Sequence, residues 1–364
     1  MRGKRLRLTA EETEHIYKLR AKIVSNVNEN SNIDKTAYLE YLAERGIDQK
    51  DVASVKFWQS AGGEPRYSIV TKNQKHTDAD KIFGDVVKLI EQGTPDVPKI
   101  KGRKSGSHLL VINPADIHIG KYASELETGE EYNTGIAYSR VVEGVFGILE
   151  KSEGFDIDRI LFCIGNDILH VDGTYNTTTK GTPQDVDSKW HEMYVAGLEL
   201  YIEVVEILRR VAPVDCVHSM SNHDYCSGFH LAQSLKAWYR NADDVMVDAT
   251  PNPRKYYKWN SSLIGLAHGD GAKPDGLPLL MANEQPEAWA ITQYRYWYLH
   301  HIHHKVKYKY LDAKDYAGVT LEYLRSPSSA DSWHHRKGFT GAPKAVEGFI
   351  HSEFGQIARI THIF

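Results

Sequence analysis

Five short apolar runs between residues 108 and 304 each end in a group of Asp, Asn or His, and this repetition limits what the chain can fold into. Leu109–Ile112 leads to Asp116 and His118, with Pro114 stopping the run. Arg159–Ile164 leads to Asn166, Asp167 and His170. Val214–Met220 leads to Asn222, His223 and Asp224. Leu263–Ala267 leads to His268 and Asp270, and Tyr298-Leu299 leads to His300, His301, His303 and His304. Apolar runs of this length bounded by turn residues read as buried strands. Asp116 and His118, two apart in extended chain, would face one way. At the end of a strand in an α/β sheet they would converge in the crevice where such folds bind ligands. Any one of these groups has an ordinary explanation as a satisfied core or surface histidine. Five in succession, each directly after its apolar run, do not.

Around those runs the pattern alternates strand and helix. Strands are expected at 108–113, 158–164, 213–219, 245–249, 262–267, 295–300, 317–324, 345–352 and 357–364. Helices fit 134–152, 188–210 and 230–241, which gives one α/β domain over 105–364. Residues 1–98 differ. A basic arm (Arg2, Lys4, Arg5, Arg7) precedes a capping-box pattern, Thr9 with Glu12, that opens a helix. A second helix is expected over Lys35–Arg45 and a third from about Asp48, followed by a hairpin within Val55–Val70 around Gly62-Gly63. Helices followed by a hairpin suit a winged helix-turn-helix; a small capping or docking module is the preferred reading. The Pro, Gly and Lys between Gly93 and Gly106 read as a linker.

Composition narrows the class further. A formal charge of −4 over 364 residues supplies no global basic field, so contact with nucleic acid must be local. Cys163, Cys216 and Cys226 are too few for a disulfide framework, and the first two fall in apolar strands where Cys acts as a small hydrophobe. No apolar run approaches a membrane span and no signal peptide is apparent, so a cytoplasmic protein without membrane partners is expected, with a homodimer left open.

Carboxylate, amide oxygen and several imidazoles without thiolate make a mixed O/N site for Mn²⁺, Fe or Zn²⁺, too rich in nitrogen for Ca²⁺. There are more donors than one tetrahedral ion can use. Two ions sharing a carboxylate would use them all, and such a pair neutralises charge on a phosphoryl group. The order Asp116-x-His118, Asp167-x-x-His170, Asn222-His223-Asp224, His268-Gly269 and His301-x-His303 resembles the calcineurin-like metallophosphoesterase superfamily.

The resemblance covers roughly 108–305. It implies a four-layer αββα metallophosphoesterase sandwich, here with a small N-terminal helical module. It also implies one metal ion on Asp116, His118, Asp167 and His303, and a second on Asp167, Asn222, His268 and His301. His223 matches the family's histidine that acts on the leaving-group oxygen, and Asp224 follows it as the residue that orients the imidazole. His170 gives a motif similar to that of SbcD-type DNA repair exonucleases. Asn166, Ser221 and His300 stand where the family usually has glycine, which permits positive φ. The expected function is dinuclear phosphodiester hydrolysis by a nuclease acting on DNA, with Mn²⁺ first among the metals. The alternatives are a small-molecule phosphatase or cyclic-nucleotide phosphodiesterase and, from another class, a nucleic-acid-binding protein with a degenerate metal domain. Lys121, His334, His335 and Arg336 are weaker candidates for phosphate contact.

Overall fold

The computed structural model describes residues 35–59, 65–71, 106–301, 313–316, 318–338 and 341–364. It divides into two units, Met1–Glu91 and Gln92–Phe364. In the first, helix α1 (Lys35–Glu44) accompanies an antiparallel pair, β1 (Val52–Gln59) and β2 (Pro65–Thr71). Tyr38 and Tyr41 set their rings 5.8 and 4.9 Å from that of Tyr67, and Leu42 is buried. The third helix expected near Asp48 is instead a three-residue 3₁₀ turn, Gln49–Asp51. The Asp48 carboxylate caps it by accepting from Lys50 N–H at 3.1 Å, and Val52 then enters a strand. The basic arm, the Thr9 capping box and the Gly62-Gly63 turn lie outside the described residues.

The second unit is mixed α/β, with two sheets and several helices. Its elements are β3 (His108–Ile112), α2 (Glu125–Thr128), α3 (Thr134–Lys151), β4 (Ile157–Gly165), α4 (Trp190–Leu208), β5 (Val214–Ser219), α5 (Tyr225–Trp238) and β6 (Val245–Asp248). They continue as β7 (Lys255–Trp259), β8 (Ser262–Ala267), α6 (Leu277–Glu284), α7 (Pro286–Ile291) and β9 (Tyr294–Leu299). The last are β10 (Ala313–Tyr316), β11 (Val319–Tyr323), α8 (Ser332–Arg336), β12 (Ala345–Ser352) and β13 (Gly355–Ile363). One sheet has the order β13-β12-β3-β4-β5-β6, parallel from β3 to β6; the other has β10-β11-β9-β8-β7.

The alternation of side chains explains why the central strands read as unbroken apolar runs. Leu110, Ile112, Ile160, Phe162, Val214 and Cys216 pack with Val141, Val145, Val204 and Leu231 of the helices. Their neighbours in sequence, Leu109, Val111, Leu161, Cys163 and Val217, pack with Ile264, Leu266 and Tyr298 of the other sheet. Leu263, Trp297, Leu299 and Leu321, of opposite parity in that second sheet, pack with Leu277 and Met281 of α6.

Several elements escaped or shifted from the sequence reading for local reasons. β7 is an edge strand with two lysines, turning into β8 at Asn260, φ 44°. Helices α6 and α7 each carry a proline at their start, where proline is tolerated although it reads as a break. α5 begins at Tyr225 rather than near 230, because Ser227 and Gly228 look like turn residues.

One close approach is decisive for packing. Gly265 on β8 lies opposite Trp297 on β9, which is fully buried. A Cβ at Gly265 would come within 2.5 Å of the indole. Gly265→Ala should therefore lower stability by about 1–3 kcal/mol through overpacking. Urea unfolding checks this: the midpoint should fall while the slope stays the same.

Candidate metal centre

The segments that follow β3, β4, β5, β8 and β9 are stitched together by their backbones. Asp116 N–H donates to Asn166 O at 2.8 Å and His118 N–H to Asp167 O at 2.9 Å. Asn166 N–H reaches Ser219 O at 3.1 Å, and His300 N–H reaches His268 O at 2.9 Å. His301 N–H donates to the Asp116 carboxylate at 3.2 Å. The geometry departs from an extended Asp-x-His. Asp116 and His118 have φ of 53° and 54°, both left-handed, as do Asn166 (52°), Asp167 (60°) and His301 (66°). Non-glycine residues held there cost about 1–2 kcal/mol each and gather where the surrounding structure requires them for function.

The side chains then converge. His268 Nε2 lies 2.9 Å from Asn222 Oδ1, 3.1 Å from His301 Nδ1 and 3.1 Å from Asp167 Oδ2. A ring nitrogen carries one proton or one lone pair and cannot satisfy three partners by hydrogen bonding. Donors held about 2.0–2.2 Å from a common divalent ion sit about 3.0–3.5 Å from one another. The crowding around His268 therefore fits an ion better than a hydrogen-bond network. Asp116, His118 and Asp167 form a second group whose ligand atoms lie within 4.8 Å of one another. Asp167 belongs to both groups. His118 also joins His170 and His223 in a third. His303, assigned to one ion by the resemblance, lies outside the described residues.

Burial sets the electrostatics. Asp116, His118, Asp167 and His268 are each 1–2% exposed. Burial pushes the Asp116 carboxyl up to about 7. It would raise Asp167 too, but the charge and hydrogen bond of His268 outweigh it and hold that carboxyl well below the usual range. Burial lowers His268, and the Asp167 charge more than reverses this, raising it to about 9. Burial drives His170 and His300 well below the ordinary imidazole value.

His223 donates its backbone N–H to Asp167 Oδ1 at 2.9 Å, and its Nδ1 lies 2.9 Å from the His170 carbonyl. A carbonyl only accepts, so Nδ1 carries the proton and Nε2 remains for proton exchange. Its ring contacts those of His118 and His170, with centroids 4.6 and 5.3 Å away. Asp224 does not orient this imidazole, contrary to the expectation from sequence. Its buried carboxylate instead accepts from Ser221 Oγ at 2.6 Å and Leu169 N–H at 2.9 Å. Ser221, an unpromising replacement for glycine, proves useful: its hydroxyl also accepts from Asp167 N–H at 2.8 Å. Neither Ser221 nor His300 has positive φ, so neither position needs glycine.

Lys121 is not a phosphate contact. Its ammonium is buried, pairs with Asp331 at 3.2 Å and donates to Ser329 O at 2.7 Å. Asp331 also bonds His334 Nδ1 at 2.6 Å, while His335 and Arg336 are exposed. Ser326 donates its hydroxyl to the Asp116 carbonyl at 2.8 Å, a contact that no motif signals.

No protein-family model matches this chain, and no curated protein matches it. Among solved structures, a single mutant of Vps29 from Entamoeba histolytica is similar over 70% of this chain and 99% of that chain. The identity is 14% and the TM-score 0.26, too distant a likeness to carry any conclusion.

Because Asp167 belongs to both ligand groups, Asp167→Asn should strip most bound metal, whereas His118→Ala should chiefly empty one position. Elemental analysis of purified variants after dialysis against Mn²⁺ measures this. Full metal occupancy in Asp167→Asn would exclude a bridging role.

Proposed function

We propose that residues 105–364 form a dinuclear metal-dependent phosphodiester hydrolase of the calcineurin-like metallophosphoesterase superfamily, with the four-layer αββα arrangement and with nucleic acid as substrate. The observation that carries this reading is the convergence of Asp167, Asn222 and His301 on His268 Nε2, beside a second group that shares Asp167. Asp116, His118 and Asp167, with His303, would hold one ion; Asp167, Asn222, His268 and His301 would hold the other. Mn²⁺ is the first choice, with Fe or Zn²⁺ as alternatives. Bound there, such ions neutralise phosphoryl charge and acidify an attacking water.

His223 supplies the proton. With Nδ1–H tied to the His170 carbonyl, protonated Nε2 is positioned to donate to the departing oxygen. His170 packs against both the ligand His118 and His223 and, kept neutral by burial, offers a hydrogen bond rather than a charge. That suits a singly charged diester more than a doubly charged monoester, which favours phosphodiesterase over phosphatase. Six of the seven expected ligands lie among the described residues, four of them buried, which weighs against a degenerate metal domain.

The experiment presents Mn²⁺-loaded protein with single-stranded DNA, duplex DNA, a cyclic nucleotide and a mononucleotide. Preference for the mononucleotide would favour the phosphatase. The role of His223 has its own test. A sugar alkoxide is a poor leaving group, so His223→Asn should slow DNA cleavage by about 10²–10⁴-fold. p-Nitrophenolate departs unaided, so hydrolysis of bis-p-nitrophenyl phosphate should suffer far less, at equal metal content. An equal loss on both substrates would reassign His223 to charge stabilisation.

A further inference from the structure

A cavity of about 200 Å³ opens beside the metal centre, sharing Ser221 and His268 with it. Tyr225, Tyr323, Leu277 and Leu299 line it, with Arg254 and Asp270 among its polar residues. Arg254 is not available to a second phosphate, because Glu284 engages its guanidinium from both carboxylate oxygens at 3.0 Å. Lined by rings and aliphatic side chains, the cavity suits a flat, uncharged ring with polar edges. Because Ser221 and His268 border both, a group seated there would adjoin a phosphate at the ions.

A second observation concerns the rim. Seven aromatic side chains are exposed among the described residues, and five of them lie on segments around the centre. Tyr122 (46% exposed) follows His118 by four residues, and Tyr225 (46%) follows Asp224 directly. Trp190 (45%) opens α4 just after the stretch whose Asp185 carbonyl accepts from Tyr122 N–H. Tyr175 (88%) lies in the loop whose Thr179 N–H donates to the Asn222 carbonyl. Trp333 (51%) is on α8, which Asp331 anchors to Lys121. Successive unpaired bases stack on exposed rings of this kind.

Resting on the phosphodiesterase reading, we infer that the substrate is an unpaired polynucleotide strand, one base of which enters the cavity beside His268 while its neighbours stack on the rim aromatics. In a duplex the base faces are covered, and a base reaches such a cavity only after leaving the stack.

The test compares a single-stranded oligonucleotide, its blunt duplex and an abasic oligomer of equal length and backbone charge, all with Mn²⁺-loaded full-length protein. The single strand should be cleaved at least about 10-fold more efficiently than either of the others. Tyr225→Leu and Trp333→Leu should each lower kcat/KM on the single strand by about 5–150-fold, the usual effect of one lost stacking partner. Their loss on the abasic oligomer should be several-fold smaller, and Tyr225→Phe should restore the single-strand rate. Equal losses on both oligomers, or an abasic oligomer cut as fast as the natural strand, would overturn the inference alone. Failure of the wild type to hydrolyse even bis-p-nitrophenyl phosphate would overturn the phosphodiesterase reading, and the inference with it.

Discussion

The carboxylate of Asp167 is the tie on which the rest of the site depends. An ionised group only 1% exposed loses several kcal/mol of hydration unless partners replace it. Asp167 finds those partners on three other segments. Oδ2 faces His268 after β8, and Oδ1 accepts the His223 N–H after β5. Its own N–H is held by Ser221, and its carbonyl accepts the N–H of His118 after β3. To meet all four demands the residue adopts φ 60°. The local strain is outweighed by a set of bonds that no ordinary conformation would form together.

Support for Asp116 comes from further away. Glu347 on β12 is buried and paired with Arg359 at 2.9 Å, and it accepts Arg325 N–H at 2.9 Å. Ser326, the next residue, donates its hydroxyl to the Asp116 carbonyl. The Glu347 carbonyl accepts the N–H of Asn113, three residues before Asp116. The last strand pair therefore fixes both approaches to the first ligand. This gives β12 and β13 a role in the site although they contribute no ligand.

What could be read in the sequence follows from which forces act locally. The apolar runs of β3, β4, β5 and β8 were visible because both faces of each strand are buried, which leaves a continuous signal. The ligand positions were visible because polar residues directly after such runs are unexpected. β7 was not, since an edge strand with Lys255 and Lys258 carries no such run. Nor were the left-handed turns at Asp116, His118 and His301, since Asp and His tolerate positive φ without requiring it; only the assembled site does. Glu347 could not be found for the same reason, as its value depends on a contact with Asn113, far away in the chain.

Two departures from the familiar motif turn out to be one. Ser221 stands, on the resemblance, where glycine is usual, yet it has no positive φ, and its hydroxyl needs an acceptor as well as a donor. Asp224, three residues on, is that acceptor, so Ser221 is joined to Asp167 on one side and Asp224 on the other. A carboxylate so engaged cannot also reach Nδ1 of His223. That task passes to the carbonyl of His170, which lies in the segment after β4 and keeps Leu169 N–H on Asp224. The backbone of one segment thereby orients the imidazole of another, and the side chain of His170 stays beside His118 and His223. A backbone carbonyl suits this position better than a second acid would. It fixes the Nδ1 proton without adding negative charge, which the proposed phosphodiester substrate requires, since another carboxylate would repel it.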